Sequence, residues 1–228
     1  MSIRTCTLTL MLWALAVALP GSLAGAPGVE GTDYRKLETP QPTDSPGKIE
    51  VIEFFSYACP HCSAFHPVVS AWAAKLPRDV VFRRVPVSFN RAPWVNLART
   101  YYALQASGDL AKLDGALFHA IHDEHQQLFE PQSLIEWVGK HGGNAEKFAS
   151  AYASFAVNNQ TVQADSLAER FGIESIPSLA VDGRYVAMGK QGQPQDRYFL
   201  EMLANTDWLI AKVRAESPAK PPVKPGKG

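Results

Sequence analysis

Two cysteines with two residues between them, Cys59 and Cys62 flanking Pro60 and His61, are the side chains of this sequence best suited to chemistry. Thiols at this spacing can join as a disulfide or hold a metal, and the surrounding elements decide which. Here an almost continuous apolar run over residues 49–55 leads into the motif, and a helix-like stretch over 63–76 leaves it. A dithiol at a strand-to-helix turn reads as a redox pair. The third cysteine, Cys6, lies in an N-terminal stretch that reads as removable, so the mature chain would use its two remaining thiols here.

The position assigns different roles to the two sulfurs. If Cys59 stands just before a helix, Pro60 is its first residue, where a proline sacrifices no hydrogen bond and presets the backbone angle. The unpaired N–H groups and positive end of that helix then face Cys59 and favour thiolate over thiol. Cys59 is therefore expected to be the acidic, exposed nucleophile, with His61 adding to the stabilisation. Cys62, one turn inside, is expected to be buried and less acidic.

The motif's compartment is read from the N-terminus. Arg4, an apolar run over 8–19, Pro20 and a small-residue stretch that includes Ser22 and Ala24 form a secretory signal pattern, with cleavage expected after Ala24. The run is short for a membrane span. The mature chain is thus expected in an oxidising, exported compartment. Formal charge is +0, from 22 basic and 22 acidic residues, and nothing in it suggests a nucleic acid or an anionic membrane as partner. The 228 residues, 46% of them hydrophobic, supply a core without disulfide staples.

The elements that position the pair come in a mixed order. Residues 49–55 read as a central parallel strand covered on both faces. Phe65, Val68, Val69, Trp72 and Leu76 lie on one helical stripe, and a β-branched run follows over 80–89. Short apolar runs over 178–181 and 185–187 flank Asp182 and Gly183, a strong hairpin signal, and a last helix is expected over 195–214. Between these halves, helix-like stretches over 95–105, 110–123, 131–141, 145–155 and 161–171 predict a helical insertion in an α/β domain. The expected division is a leader at 1–24, an extended lead-in at 25–47, an α/β first half at 48–92, the insertion at 93–160, a second half at 161–214 and a Lys/Pro tail at 215–228. Four prolines and three lysines among the last twelve residues leave that tail too little apolar surface to order it.

The run Glu53, Phe54, Phe55, Ser56, Tyr57, Ala58 into Cys59, Pro60, His61 and Cys62, with Ile176 and Pro177 far downstream before a hairpin, resembles the DsbA-type thiol:disulfide interchange proteins. The resemblance covers residues 48–214. It implies a thioredoxin fold with an inserted helical domain, periplasmic location, donation of the Cys59–Cys62 disulfide to reduced exported proteins, no other cofactor, and reoxidation by a DsbB-like membrane quinone reductase. It also implies a cis bond between Ile176 and Pro177 beside the dithiol, whose backbone would face an extended substrate; the residues alone suit a trans proline opening an edge strand equally well. It places Glu53 beneath the pair, able to accept or relay the Cys62 proton, whereas the plainer reading is an ion pair with Arg83 or Arg84 at the sheet margin. A shallow groove near Tyr57, Phe65 and Pro177 follows from the same likeness, and a monomer is expected.

Other readings compete. An isomerase or reductase would use the same pair at a less oxidising potential, but isomerases commonly carry a dimerisation domain and the 25–47 lead-in is too small for one. A metal-binding or chaperone-like module would use the cysteines as ligands or not at all. Cys59, Cys62 and His66 nominally offer three zinc ligands without a fourth, and His119, His122 and His125 read as a solvated face at a helix end rather than a metal cluster.

Overall fold

A computed structural model describes residues 28–216; the leader and the residues from 217 onward lie outside the described part. Among the described residues five strands and seven helices follow in the order β1 (Tyr34–Lys36), β2 (Ile49–Phe55), α1 (Pro60–Ala73), β3 (Val80–Pro86), α2 (Ala92–Ser107), α3 (Leu110–His122), α4 (Pro131–Lys140), α5 (Ala145–Tyr152), α6 (Phe155–Arg170), β4 (Ser178–Val181), β5 (Tyr185–Ala187) and α7 (Gln195–Glu216). The sheet order is β1-β5-β4-β2-β3, with β2 parallel to β3 and the other pairs antiparallel. This is a thioredoxin fold with an inserted helical segment. β2 is paired on both edges and buried along its whole length, which accounts for its unbroken apolar character.

The apolar side chains divide among three cores. On one face of the sheet Val51, Leu179 and Val181 pack against Phe65 and Val69 of α1 and Phe199 and Met202 of α7. On the other, Ile52, Phe54 and Ala180 pack against Ala164, Ala168 and Phe171 at the end of α6. The third core fills the helical insertion with Leu97, Leu104, Leu117, Trp137 and Phe148, and it reaches Phe55, Tyr57, Cys59 and Cys62. The dithiol thus sits where the insertion closes over the end of the sheet.

Several boundaries differ from the sequence reading. The strand expected over 80–89 stops at Pro86, because Phe89 and Asn90 turn the chain with positive φ. The lead-in is not merely extended: its residues 34–36 form β1 on β5, and Gln41 donates its N–H to Gly183 O at 2.7 Å. The helices expected over 145–155 and 161–171 divide elsewhere, since Ser154 caps a helix that begins at Phe155, its hydroxyl accepting from Val157 N–H at 3.2 Å. The last helix runs on to Glu216. At the expected hairpin, Asp182 and Gly183 both have positive φ, 53° and 63°, and Arg184 N–H returns to Val181 O, the primed turn that matches strand twist.

Candidate functional site

Helix α1 begins as the sequence demands. Cys59 occupies the cap position with extended angles (φ −92°, ψ 117°), Pro60 is the first helical residue, and Cys59 O accepts the first helical bond from Ser63 N–H at 3.0 Å. Helices usually place a serine or aspartate at the cap, whose oxygen accepts from the second and third N–H groups. A sulfur stands there instead. It makes no full cap hydrogen bond as a thiol, but its anion is favoured by the Cys62 thiol first, then by the N–H groups of Cys62 and His61 and the charge of His61, and these bring the Cys59 thiol from 9.0 to about 6 against the opposing effect of burial. Burial foremost, and then the Cys59 thiolate, pushes the Cys62 thiol well above its usual range.

Both cysteines are present as thiols. Cys62 is 0% exposed, as expected, but Cys59 is only 5% exposed, so the expectation of an exposed Cys59 is corrected. The insertion core and the loop before β4 enclose it on the sides that face the protein. The peptide bond between Ile176 and Pro177 is cis, and Ile176 O lies 3.7 Å from Cys59 Sγ, within reach of its S–H. Residues 117 positions apart are thereby brought to one atom. On the solvent side, the exposed His61 has its Nδ1 2.7 Å from Gln195 Oε1 at the start of α7.

Glu53 lies under this surface and is fully buried. Parallel register sets it beside Arg84 of β3, whose Nε donates to Glu53 Oε2 at 2.6 Å while Nη1 donates to Asp114 Oδ2 of α3 at 2.5 Å. The ion pair of the plainer reading is therefore present, made with Arg84 of the edge strand β3 and buried under the insertion; Arg83 turns away to Glu50 at 3.0 Å and Asp44 at 3.2 Å. Burial raises Glu53 above the ordinary carboxylate range even beside this cation. Arg84 stays charged because Glu53 and Asp114 outweigh the cost of its burial, and its guanidinium also stacks 3.8 Å over the Phe55 ring. Tyr57, two residues before Cys59, completes the group by donating its hydroxyl to Asp114 Oδ1 at 2.5 Å.

The three insertion histidines part company. His119 and His125 are exposed, as expected of a solvated face, but His122 turns inward with Nε2 2.7 Å from Tyr57 O. His66 stacks near Phe118 and lies 3.6 Å from Asp114, and among the described residues no group of three or more His, Cys, Asp or Glu is arranged to hold a metal ion. Tyr57 and Phe65, 1% and 0% exposed, belong to the core and line no surface groove. Asp114 and Gln195 were not singled out by sequence reasoning, and His122 was read only as part of a solvated face. The i, i+4 spacing of Asp114 and Phe118 on one face of α3 was the available signal, but it does not say which element that face meets. A cleft of about 430 Å³ lined by Pro42, Arg83, Tyr102 and Leu167 contains none of the dithiol residues.

Comparison with known proteins agrees with this arrangement. The family described as DSBA-like thioredoxin domain matches residues 50–201. The thiol:disulfide interchange protein DsbA of Bordetella parapertussis is 41% identical over 184 residues, covering 80% of this chain and 87% of that protein. DsbA of Pseudomonas aeruginosa is 38% identical over 186 residues, covering 81% and 85%. Among solved structures, that of Pseudomonas aeruginosa DsbA is similar with a TM-score of 0.75 at 36% identity, covering 82% of this chain and 94% of that one. DsbA from Xylella fastidiosa is similar with a TM-score of 0.75 at 30% identity, covering 82% and 98%. A C-x-x-C pair capping the first helix of a thioredoxin sheet, a helical insertion closing over it, and identity at this level across most of each chain place the protein in the DsbA-like thioredoxin-domain family.

Proposed function

We propose that the protein is a disulfide donor: a thiol:disulfide oxidoreductase that transfers its Cys59–Cys62 disulfide to reduced exported proteins. The observation that carries the reading is the contrast between two neighbouring thiols, Cys59 held at about 6 and Cys62 pushed well above 9.0. A stabilised thiolate lowers the free energy of the reduced enzyme and makes its disulfide more oxidising.

In the first step a substrate thiolate attacks Cys59 Sγ of the disulfide. A substrate–Cys59 bond forms, the Cys59–Cys62 bond breaks, and its electron pair passes to Cys62, which takes up a proton. The substrate's second thiolate then attacks the substrate sulfur and expels Cys59 as a thiolate, so that the substrate dithiol is oxidised by two electrons and the enzyme reduced by two. Cys59 is the better leaving group because its anion already has its hydrogen bonds. Its access from solvent is narrow, so the incoming sulfur approaches beside Pro60 and His61, the exposed residues of the motif. Pro60 fixes the helix start that supplies the donors, and His61 adds charge to them. Ile176 and Pro177 form the opposite wall, where the backbone can hold an extended substrate segment. Glu53 serves Cys62 as proton donor, and as acceptor when the disulfide is restored.

The same reading places the mature chain in the periplasm as a monomer, exported by the leader at 1–24, with the Cys59–Cys62 disulfide as its sole redox group and a DsbB-like membrane quinone reductase as reoxidant. The inserted helical domain, assigned to 93–160, covers the buried side of the pair. Trapping tests the assignment: Cys62→Ser accumulates substrate-linked species through Cys59, and Cys59→Ser does not. Equal trapping by both variants would overturn the division of roles.

A further inference from the structure

We infer that Asp114, contributed by the helical insertion, is a positioning residue for proton transfer at Cys62: by holding one arm of the Arg84 guanidinium, it leaves Glu53 able to carry a proton. The inference rests on the proton-carrier role proposed for Glu53 and deepens it.

The geometry is that of two carboxyl groups sharing one cation. Arg84 presents Nε to Glu53 and Nη1 to Asp114, at 2.6 and 2.5 Å. Like charges that share a site cannot both ionise at their ordinary values, and the less well bonded one takes up the proton first. Asp114 is the better bonded. Its Oδ1 accepts from the Tyr57 hydroxyl and its Oδ2 from Arg84. Among the described residues Glu53 accepts on Oε2 alone, and its buried Oε1 has no hydrogen-bond partner. An unpaired buried carboxylate oxygen is unfavourable, and a proton relieves it. The negative charge of Asp114 works in the same direction, raising Glu53 while Arg84 lowers it.

The other titratable groups around Glu53, Arg84 and Asp114 do not compete. Cys62 and His66 come from α1, Tyr57 from the turn after β2, Tyr101 from α2, and the paired residue of β4 is the apolar Leu179. Burial lowers His66 and raises Tyr57 and Tyr101, so all three are neutral near pH 7 and Arg84 is the one cation of the group. When the Cys59–Cys62 bond breaks, Cys62 Sγ receives the electron pair and the Glu53 proton, and the resulting Glu53 carboxylate rests on Arg84. On reoxidation Cys59 first forms a mixed disulfide with the reoxidant; the Cys62 sulfur then attacks Cys59 Sγ, the bond to the reoxidant breaks with its electron pair leaving on the reoxidant's sulfur, and the Cys62 proton returns to Glu53.

The test follows the carboxyl C=O band in the infrared across pH, together with the pH profile of thiol exchange, in the full mature protein. A protonated band that disappears in Glu53→Gln is expected. In Asp114→Asn the same band and the exchange profile move to lower pH, and in Asp114→Glu, which keeps the charge, they move back toward the parent values. Loss of structure alone would lower the thermal midpoint without moving the band, and Asp114→Ser replaces Asp114→Asn should the latter not fold. If Glu53→Gln leaves both readouts unchanged, the proton-carrier reading itself fails. If Glu53→Gln removes the band while the neutral Asp114 variants titrate like the parent, the role of Asp114 is refuted and that of Glu53 stands.

Discussion

Replacing Cys62 by serine and by alanine separates the sources of Cys59 acidity. The Cys59 sulfur receives the Cys62 S–H as its largest stabilising contact and the N–H groups of Cys62 and His61 after it. Cys62→Ala removes the first and leaves the second, because the backbone of α1 is unchanged. A hydrogen bond to a charged group contributes about 1.5–3 kcal/mol, the lower end suiting a weak S–H donor, and each pH unit corresponds to about 1.4 kcal/mol. Cys59 should therefore rise by about one pH unit, from about 6 to about 7, in the alanine variant. It should not reach 9.0, since the helix end still donates. Cys62→Ser retains a hydroxyl donor at the same position and should titrate near the parent. The ultraviolet absorbance of the thiolate, followed against pH in each single-thiol variant, reads the midpoint directly. If both variants titrate at about 6, the Cys62 side chain contributes nothing and the hydrogen-bond reasoning is wrong; if both titrate near 9.0, the helix end contributes nothing.

Three further outcomes follow. His61→Ala removes a smaller electrostatic contribution at an exposed position, so the Cys59 midpoint should rise by less than one pH unit, in keeping with the ~0.3–1 kcal/mol of a charge at a helix end; the same absorbance titration checks it. Gly183→Ala would put a Cβ 2.0 Å from Gln41 O at a residue with φ of +63°, and should cost about 1–3 kcal/mol, seen as a lower thermal midpoint, while Cys59 still titrates at about 6 because the hairpin lies at the end of β4 remote from Pro177. The folded reduced protein ionises Cys59 at about 6 and the unfolded chain near 9.0, so its stability relative to the disulfide form should grow as pH rises from 6 to 9 and vanish as pH falls through 6; paired denaturant midpoints of the two redox forms measure it.

The chemistry was legible in the sequence because its main devices are local. Strand, Cys59, Pro60 and helix are consecutive, and the consequence of a sulfur at a helix cap needs no distant residue. The hairpin at Asp182 and Gly183 was equally readable, since positive φ at two adjacent positions is a property of those residues. What escaped depends on register and on which elements meet. Pairing of Glu53 with Arg84 rather than Arg83 follows from side-chain alternation in a parallel pair whose register no single strand encodes. The convergence of Asp114 and His122 on Tyr57 requires the face that α3 turns toward the sheet. Cys59 is less exposed than expected for the same reason: its cover comes from the insertion core and from Ile176, far away in sequence. The β1 strand was hidden because three residues among prolines carry no periodic signal, and its stability comes from β5.

The reduction potential of the Cys59–Cys62 pair, measured against glutathione as a function of pH, tests the central claim most directly. Each proton taken up with the two electrons contributes about 30 mV per pH unit, so a Cys59 that ionises at about 6 gives a slope of about 60 mV per unit below that pH and about 30 mV above it. At pH 7 the stabilised thiolate makes the disulfide about 30 mV more oxidising than an ordinary thiol pair would allow, an advantage that widens until an ordinary thiol would also ionise. A break in slope near pH 6 is the predicted result. A single slope of about 60 mV continuing through pH 8 would mean that no thiolate is stabilised at position 59, and would contradict the account of this protein as a disulfide donor.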